Sequence, residues 1–308
     1  MNVYLKKLSL LTCASLFAQS LSAHTDCRLE QSATAKTITL FSHGMLDTGS
    51  NQIKGYLPVE GNKDARCIIQ KPYAYFNYDD ACDPKCGIKL CKFWHCSFGQ
   101  HNDQATIARV YDDLTKKFPE DSYVLAGVSR GASVIWSFVA NKKPTQVKAL
   151  ILESPFDHIQ TSLEAAAHHV PALINCGLTR RLAQDLLRNI ALKSKADALQ
   201  PIDVANQIPL GLPMLIVCSL EDKLVPAQSS YRLYQALRAR GHKDLYILIL
   251  AKGSHAKLLR GADGQRYEAV VHAFYKKYEL PYDQQKAELG KDLLPLCQPT
   301  DAKSGCGF

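Results

Sequence analysis

The sequence lacks an apolar run long enough to cross a membrane, and it lacks any dense block of basic residues. A membrane-spanning helix needs about 20 apolar residues, whereas the best candidate, at 8–21, is shorter and is interrupted by Thr12, Gln19 and Ser20. The lysines and arginines behind the net charge of +8 are scattered and are not interleaved with aromatic residues. These absences argue against a stable membrane span and against a nucleic-acid partner.

Internal repeats and low-complexity linkers are also absent from the 308 residues. Their absence excludes a solenoid and a string of loosely tethered domains. What is present is an ordinary globular composition, with 46% hydrophobic and 21% charged residues, which excludes the disordered and collagenous classes. The economical interpretation is one domain that carries two insertions.

The first residues have the pattern of a secretory signal. Lys6 and Lys7 precede the apolar stretch, which ends in the small residues Ser22 and Ala23, as a signal peptide and its cleavage site require. We therefore expect residues 1–23 to be removed, residues 24–308 to form the mature domain, and the protein to be exported to the periplasm or secreted.

Cysteine usage agrees with export. Loss of the leader takes Cys13 and leaves ten of the eleven cysteines, an even number suited to an oxidising compartment. Four of them lie in the first insertion, residues 79–99: Cys82, Cys86, Cys91 and Cys96. They lack the close C-x₂-C pairs of structural zinc sites, so the sequence predicts disulfides and no metal. A disulfide between Cys297 and Cys306 could close the C-terminal tail on itself. Cys218, inside an apolar strand, is the cysteine that we expect to remain a free thiol.

Strands and helices alternate along the chain. The pattern predicts six strands, at 37–42, 66–76, 123–126, 147–154, 213–219 and 245–250, and helices at 103–118, 130–141, 227–240 and 266–278. Strands that are apolar on both faces and separated by helices predict an α/β fold with a mostly parallel sheet covered on both sides. The second insertion, residues 159–212, is longer than one crossover helix requires, so we expect a helical lid over the active face.

The stretch GVSRG at 127–131 places a serine between two glycines where a strand gives way to a helix. Glycines permit a tight turn at this point, and such a turn would hold the Ser129 hydroxyl clear of the backbone at a helix N-terminus. A rival interpretation is that Ser129 merely caps the helix, because serine is a favoured N-cap residue.

Reactive side chains follow three further strands. His43 comes after the first strand, Asp222 after the fifth and His255 after the sixth, and the carboxyl ends of parallel strands lie at one edge of a sheet. A serine needs a histidine base, and the histidine needs a carboxylate. Asp157 and Glu221 remain alternatives for the acid. His242 is a weaker base candidate, because it precedes its strand.

The order Ser, Asp, His, together with G-x-S-x-G between a strand and a helix, resembles the α/β-hydrolase family over residues 37–280. The resemblance implies Ser129 as nucleophile, Asp222 as acid and His255 as base. It also implies an oxyanion hole made by the backbone N–H groups of Met45 and Arg130, with His43 and Gly44 of the same loop lying against the substrate. Two features depart from the family: too little chain precedes the first strand for two leading strands, and the cysteine-rich insertion is unusual.

These observations predict an exported serine hydrolase that cleaves a carboxylic ester or related acyl compound without a cofactor. The expected substrate is a small or lipid-like acyl compound, and the oligomeric state is left open. A serine peptidase or thioesterase would use the same three residues. A different class of function, a non-catalytic binding protein that uses the cysteine-rich insertion, remains the alternative.

Overall fold

The computed structural model describes residues 27–30, 36–45, 47–59, 66–78, 101–168, 181 and 199–298. The predicted signal peptide, the cysteine-rich insertion and residues 169–198 of the predicted lid, apart from residue 181, lie outside the described residues. The described strands are β1 (Arg28–Glu30), β2 (Thr37–Ser42), β3 (Tyr73–Tyr75), β4 (Ser122–Val128), β5 (Val147–Glu153), β6 (Met214–Ser219) and β7 (Leu245–Leu250).

These strands form one sheet in the order β1-β3-β2-β4-β5-β6-β7. Strand β1 is antiparallel to β3, and every other neighbouring pair is parallel. Consecutive parallel strands need crossover connections, and the described helices supply several of them. The carboxyl ends of β4, β5, β6 and β7 therefore lie side by side at one edge of the sheet.

The described helices are α1 (Gly49–Gln52), α2 (His101–Lys117), α3 (Arg130–Lys142), α4 (Ile159–His168), α5 (Ala227–Ala239), α6 (Gly264–Lys277) and α7 (Gln284–Gly290). Short 3₁₀ helices occur at Ile53–Gly55, Ala205–Gln207, Leu258–Arg260 and Pro295–Cys297. Helix α2 has Asp103 in its first turn and Lys116 and Lys117 in its last, charges that suit the helix dipole. None of the described helices is long and apolar enough to span a lipid bilayer.

The core lies on both faces of the sheet. In β4, Tyr123 and Leu125 pack towards α2, α3 and α5, whereas Val124 and Ala126 pack towards α6. Because successive strand residues point to opposite faces, a strand buried on both sides must be apolar throughout. The continuous apolar runs in the sequence are therefore the direct consequence of a sheet with two covered faces.

Two expectations about the sheet need correction. The predicted strand at 66–76 contains only β3, because the N–H groups of Ile68 and Ile69 both donate to the Tyr56 carbonyl and Pro72 has no N–H to donate. The sheet has seven described strands where six were expected, because the short β1 precedes the first predicted strand. With a single apolar residue, Leu29, β1 has no detectable periodicity. One leading strand is therefore present among the described residues.

The described cysteines are Cys27, Cys67, Cys218 and Cys297, and no disulfide joins any two of them. Cys297 is a thiol that is 2% exposed and donates to the Leu293 carbonyl at 3.5 Å. Closure of the tail through Cys297 is thus not what the structure shows, because this sulfur lies within the core. Cys306 and the four cysteines of the insertion lie outside the described residues, and their disulfides stay a prediction.

Candidate active site

Ser129 occupies the turn between β4 and α3 in a backbone conformation that residues other than glycine rarely adopt. Its φ is 54° and its ψ is −118°, which is costly for a residue with a Cβ and is typically found at functional sites. Its side chain makes no capping hydrogen bond to α3. The interpretation of Ser129 as a simple N-cap is therefore wrong, because the strained turn directs the hydroxyl away from the helix.

The two glycines of the turn let three elements meet. A Cβ at Gly127 would lie 2.7 Å from Cδ1 of Ile135, and a Cβ at Gly131 would lie 2.1 Å from the Ser42 carbonyl oxygen. Neither approach leaves room for a side chain. The start of α3 therefore presses directly against the end of β2, which brings the loop after β2 beside Ser129.

His255 lies between Ser129 and Asp222 in one hydrogen-bonded row. Its Nε2 is 2.9 Å from Oγ of Ser129, and its Nδ1 is 2.8 Å from Oδ2 of Asp222. A carboxylate can only accept, so Nδ1 carries the proton and Nε2 is left to accept from the serine hydroxyl. This arrangement is the one that a serine nucleophile and its base require.

Asp222 is held by more than the histidine. Its Oδ2 also accepts from the Ser154 hydroxyl at 2.9 Å, and its Oδ1 accepts from the N–H groups of Leu224 and Val225, both at 2.9 Å. Burial alone would raise the pKa of Asp222, but the hydrogen bond and charge of His255 and these backbone donors lower it below the ordinary value. The carboxylate is therefore ionised and fixed in orientation.

The other candidates for acid and base lie elsewhere. Asp157 bonds to the Ser229 hydroxyl and pairs with the Arg232 guanidinium. Glu221 accepts from the N–H of Gly253 at 3.2 Å. His242 is buried before β7, at the opposite edge of the sheet from Ser129. Within the described part of the chain, the side chains of Asp157, Glu221 and His242 make no hydrogen bond to the side chains of Ser129, His255 or Asp222.

The loop after β2 is braced from within. His43 is 2% exposed, and its Nδ1 donates to the Gly44 carbonyl at 2.7 Å, while its Nε2 accepts from the N–H of Tyr78 at 3.4 Å. The N–H of Gly44 donates to Oε1 of Gln52 at 2.5 Å. These bonds engage both ring nitrogens of His43 and both backbone polar groups of Gly44. Met45 is the next residue along the turn. Contact of His43 or Gly44 with a substrate stays a prediction.

Arg130 points its side chain into the protein. It is 3% exposed, and its Nε and Nη2 donate to the two oxygens of Asp103 at 2.7 and 2.5 Å. The guanidinium lies 4.1 Å from the centre of the Tyr78 ring, and the same ring packs against His43. The Arg130 side chain thus anchors the loop after β2, while its backbone N–H, in the first turn of α3, has no acceptor within the helix.

An open cleft of about 1070 Å³ lies over Asp222 and His255. Three segments line it, and the lining residues are Thr161, Glu164 and Ala165 of α4, Leu220, Glu221, Asp222, Lys223, Leu224 and Pro226 after β6, and Ser254, His255 and Lys257 after β7. Carboxylates and ammonium groups both face it, among them Glu164, Glu221 and Lys257. Helix α4, at the start of the predicted lid, therefore borders this cleft, whereas residues 199–212 at the other end of the predicted lid contribute Val204, Ala205, Ile208 and Leu212 to the core.

One group of potential metal ligands is found in the described part of the chain. Ligand atoms of Cys67, Glu268 and His272 lie within 4.8 Å of one another. However, the Lys286 ammonium binds Glu268 and lies 3.8 Å from the Cys67 sulfur, and both ring nitrogens of His272 bond to backbone groups. A built-in cation already neutralises this group, so the residues do not fit a metal ion.

The sequence did not single out Asp103, Tyr78, Glu153 or Tyr56, which lie around the site. Asp103 and Tyr78 secure Arg130, whereas Glu153 ends β5 and bonds to Tyr56 at 3.0 Å. A carboxylate at the end of an otherwise apolar strand, LILE at 150–153, was the available signal for Glu153. The other three carry no signal, because their partners are distant in sequence.

Known proteins share this sequence pattern and fold. The sequence profile of the prolyl oligopeptidase family matches residues 99–279. An acylaminoacyl peptidase of Pyrococcus horikoshii superposes with a TM-score of 0.57 at 19% identity, over 84% of this chain and 40% of that one. An esterase of Pyrococcus furiosus gives a TM-score of 0.54 at 13% identity, over 84% and 94% of the two chains.

A lipase-esterase related protein of Clostridium acetobutylicum gives a TM-score of 0.51 at 12% identity, over 82% of this chain and 100% of that one. No curated protein matches the chain in sequence. At these identities the structures show the fold alone, and the match spans less than half of the peptidase. The family profile, in contrast, covers more than half of the chain. The chain therefore has the α/β-hydrolase fold and belongs to the prolyl oligopeptidase family of serine hydrolases.

Proposed function

We propose that the protein hydrolyses a carboxylic ester or a related acyl compound, with Ser129 as nucleophile, His255 as general base and Asp222 as the acid that orients the base. The observation that carries the proposal is the continuous row from Oγ of Ser129 through His255 to Asp222, with both contacts below 3 Å. The hydroxyl already points its proton at Nε2, so attack on a carbonyl carbon and proton transfer to His255 can occur together.

The negative charge of the tetrahedral intermediate needs donors at the same place. The backbone N–H groups of Met45 and Arg130 are our candidates, because the loop after β2 lies against the start of α3. One such donor is worth about 10²–10³-fold in kcat. His255 then returns its proton to the leaving group, and a water molecule activated by the same imidazole releases the acyl group from Ser129.

A peptidase is the second candidate, and the first superposed structure, an acylaminoacyl peptidase, favours it. Ester and peptide hydrolysis differ in the leaving group that His255 must protonate, and the described residues of the cleft fit either one. Export through a leader at 1–23, and disulfides in the insertion at 79–99, remain part of the proposal from the sequence. The binding-only alternative requires the hydrogen-bonded row to be inactive.

The first test is labelling of the leader-free protein with a fluorophosphonate probe. We expect the wild type to be labelled, and Ser129→Ala and His255→Ala to lose labelling together with about 10⁴-fold or more of esterase activity. Ser137→Ala, a buried serine of α3, is the matched control and should be labelled normally. A folded wild type that resists labelling would overturn the proposal and favour the binding-only function.

Substrate pairs with a common acyl group then separate the two enzymatic candidates. We expect p-nitrophenyl esters to be cleaved with kcat/KM far above that of the matching p-nitroanilides, because an esterase need not protonate an amine leaving group. Anilide cleavage within about tenfold of the ester would instead identify a peptidase, since amides are intrinsically much less reactive than esters.

A further inference from the structure

Glu153 is a buried carboxylate directly beneath the candidate nucleophile. It ends β5, is 1% exposed, and its backbone carbonyl accepts from the N–H of Ser129 at 2.7 Å. Among the described residues, no lysine or arginine lies within ion-pairing distance of its side chain. Buried carboxyl groups are usually paired with a cation or neutral. The groups that surround the Glu153 side chain therefore decide whether it carries a charge.

Three elements converge on the Glu153 side chain. The Tyr56 hydroxyl, after the 3₁₀ helix Ile53–Gly55, donates to Oε2 at 3.0 Å. The N–H of Leu258 approaches Oε1 at 3.5 Å, and the Tyr267 hydroxyl of α6 lies close enough to lower the pKa of the same carboxyl group. Glu153 therefore connects β5, which lies beside β4, to the loop after β7 that carries His255.

The loop between His255 and Leu258 depends on such support. Ala256 has a φ of 56°, a left-handed conformation that is costly for a residue with a Cβ, whereas Gly253, before His255, has a φ of 148°, which glycine adopts without such a cost. Glu221 holds the loop at Gly253, and Glu153 faces its other end at Leu258. The position of the imidazole is thus set from both sides by carboxylates.

The surroundings also leave the charge of Glu153 finely balanced. Burial raises its pKa to about 7, and the opposing influences are the hydrogen bonds of Tyr56, Leu258 and Tyr267 and the charge of His255. Arg260 and Asp47 act on Tyr56 from further away. An ionised Glu153 favours the protonated imidazole that forms during proton transfer, because opposite charges stabilise each other strongly in a buried site.

We propose that Glu153 is a positioning residue for His255: its carboxylate fixes the loop after β7 and adds a second negative charge, besides Asp222, within electrostatic range of the imidazole. This inference rests on the proposed hydrolase function, and it goes beyond it by adding a residue that touches no substrate. Its consequence is that the activity around neutral pH depends on two ionisations, those of His255 and Glu153, rather than on one.

The test is the pH profile of kcat/KM for Glu153→Gln. The amide oxygen can accept from the N–H of Leu258 in place of Oε1, and the amide NH₂ can donate to the Tyr56 oxygen in place of Oε2, so the charge is removed while the shape is kept. We expect kcat to fall by about tenfold and the midpoint of the acid limb to move to lower pH by roughly half a unit or more, because the protonated imidazole loses a stabilising charge. An unchanged midpoint would overturn the inference.

Two further variants keep the result interpretable. Glu268→Gln removes another buried carboxylate, the one paired with Lys286, and should leave the midpoint unchanged even if the protein is less stable. Tyr56→Phe keeps the Glu153 carboxyl group but removes a donor that lowers its pKa. This variant should therefore resemble Glu153→Gln near neutral pH and the wild type at alkaline pH. The same profile in Tyr56→Phe as in the wild type would count against the inference.

Fluorophosphonate labelling separates this inference from the function on which it rests. If the wild type is not labelled, both proposals fall. If the wild type is labelled at Ser129 and Glu153→Gln has the wild-type pH profile, the hydrolase function stands and only the role of Glu153 falls.

Discussion

Asp157 and Asp222 follow neighbouring strands, β5 and β6, at the same edge of the sheet, yet they have different partners. The sequence could not choose between them, because each lies a few residues beyond its strand. The choice depends on how the two loops fold back. Asp157 turns towards α5, where it meets Ser229 and Arg232, whereas Asp222 lies 2.8 Å from His255.

This difference gives a matched pair of substitutions. Asp222→Asn should lower kcat by about 10⁴-fold, because an amide cannot hold His255 in the required tautomer or stabilise its cation. Asp157→Asn should keep kcat within about tenfold, although it weakens the contact with Arg232. Steady-state kinetics on the best p-nitrophenyl ester will compare them, with circular dichroism to check folding. A larger loss in Asp157→Asn would contradict the assignment.

Some residues of the site could be predicted because their chemistry and chain position point the same way. Ser129 and His255 each follow an apolar strand, and the two meet in the structure at 2.9 Å. Others could not be predicted. Asp103 is 27 residues from Arg130 and Tyr56 is 97 residues from Glu153, and nothing in the sequence indicates which buried charge or hydroxyl will find which partner.

Elements were predictable where periodicity is strong and tertiary contacts agree with it. Helix α3 was expected at 130–141 and occurs at Arg130–Lys142, because an apolar face and a sharp start define it. The segment 66–76 failed as a strand, because its backbone bonds to Tyr56 rather than to the sheet before β3 begins. The number of strands depended on β1, which pairs through its backbone and has little side-chain pattern.

The contact between α3 and β2 at Gly131 leads to a prediction about stability and about the reactivity of Ser129. Gly131→Ala should destabilise the protein by about 1–3 kcal/mol and slow fluorophosphonate labelling by about 10²-fold, because a methyl group 2.1 Å from the Ser42 carbonyl must push the two elements apart. Gly211→Ala is the control. Its added methyl group meets nothing within 4 Å, so its stability should change by less than about 0.5 kcal/mol.

Urea unfolding and the labelling rate, measured on the same preparations, will separate the two effects of Gly131→Ala. If Gly131→Ala is labelled as fast as the wild type, the close approach of α3 to β2 is not needed to set the geometry of Ser129.

For the whole molecule, the buried Glu153 makes stability depend on pH in an unusual direction. Its pKa is about 7 in the folded protein, against an ordinary value of 4.5. Between these values the folded protein binds a proton that the unfolded chain has released. The contribution of this group is therefore fully present below pH 4.5 and is lost as the pH rises through about 7.

We accordingly expect the free energy of unfolding of the wild type to fall between pH 5 and pH 8 relative to Glu153→Gln, by at most roughly 3 kcal/mol. Asp222 and Asp157 have lowered pKa values, so their contributions are lost only as the solution becomes more acidic. Urea titrations at each pH will measure the difference, with the exposed Glu120→Gln as control. Parallel curves for wild type and Glu153→Gln would refute the expectation.

The order β4-β5-β6-β7 places Ser129, Ser154, Asp222 and His255 at or just beyond the ends of four adjacent strands, so the register of the sheet and the loops at its carboxyl edge set their spacing. The turns at the amino edge take no part in that spacing. The turn at 143–145 between α3 and β5 is largely exposed, and exposed turns of this kind accept inserted sequence readily. We therefore expect an affinity tag inserted at 143–145 to leave the hydrogen-bonded row of Ser129, His255 and Asp222 intact.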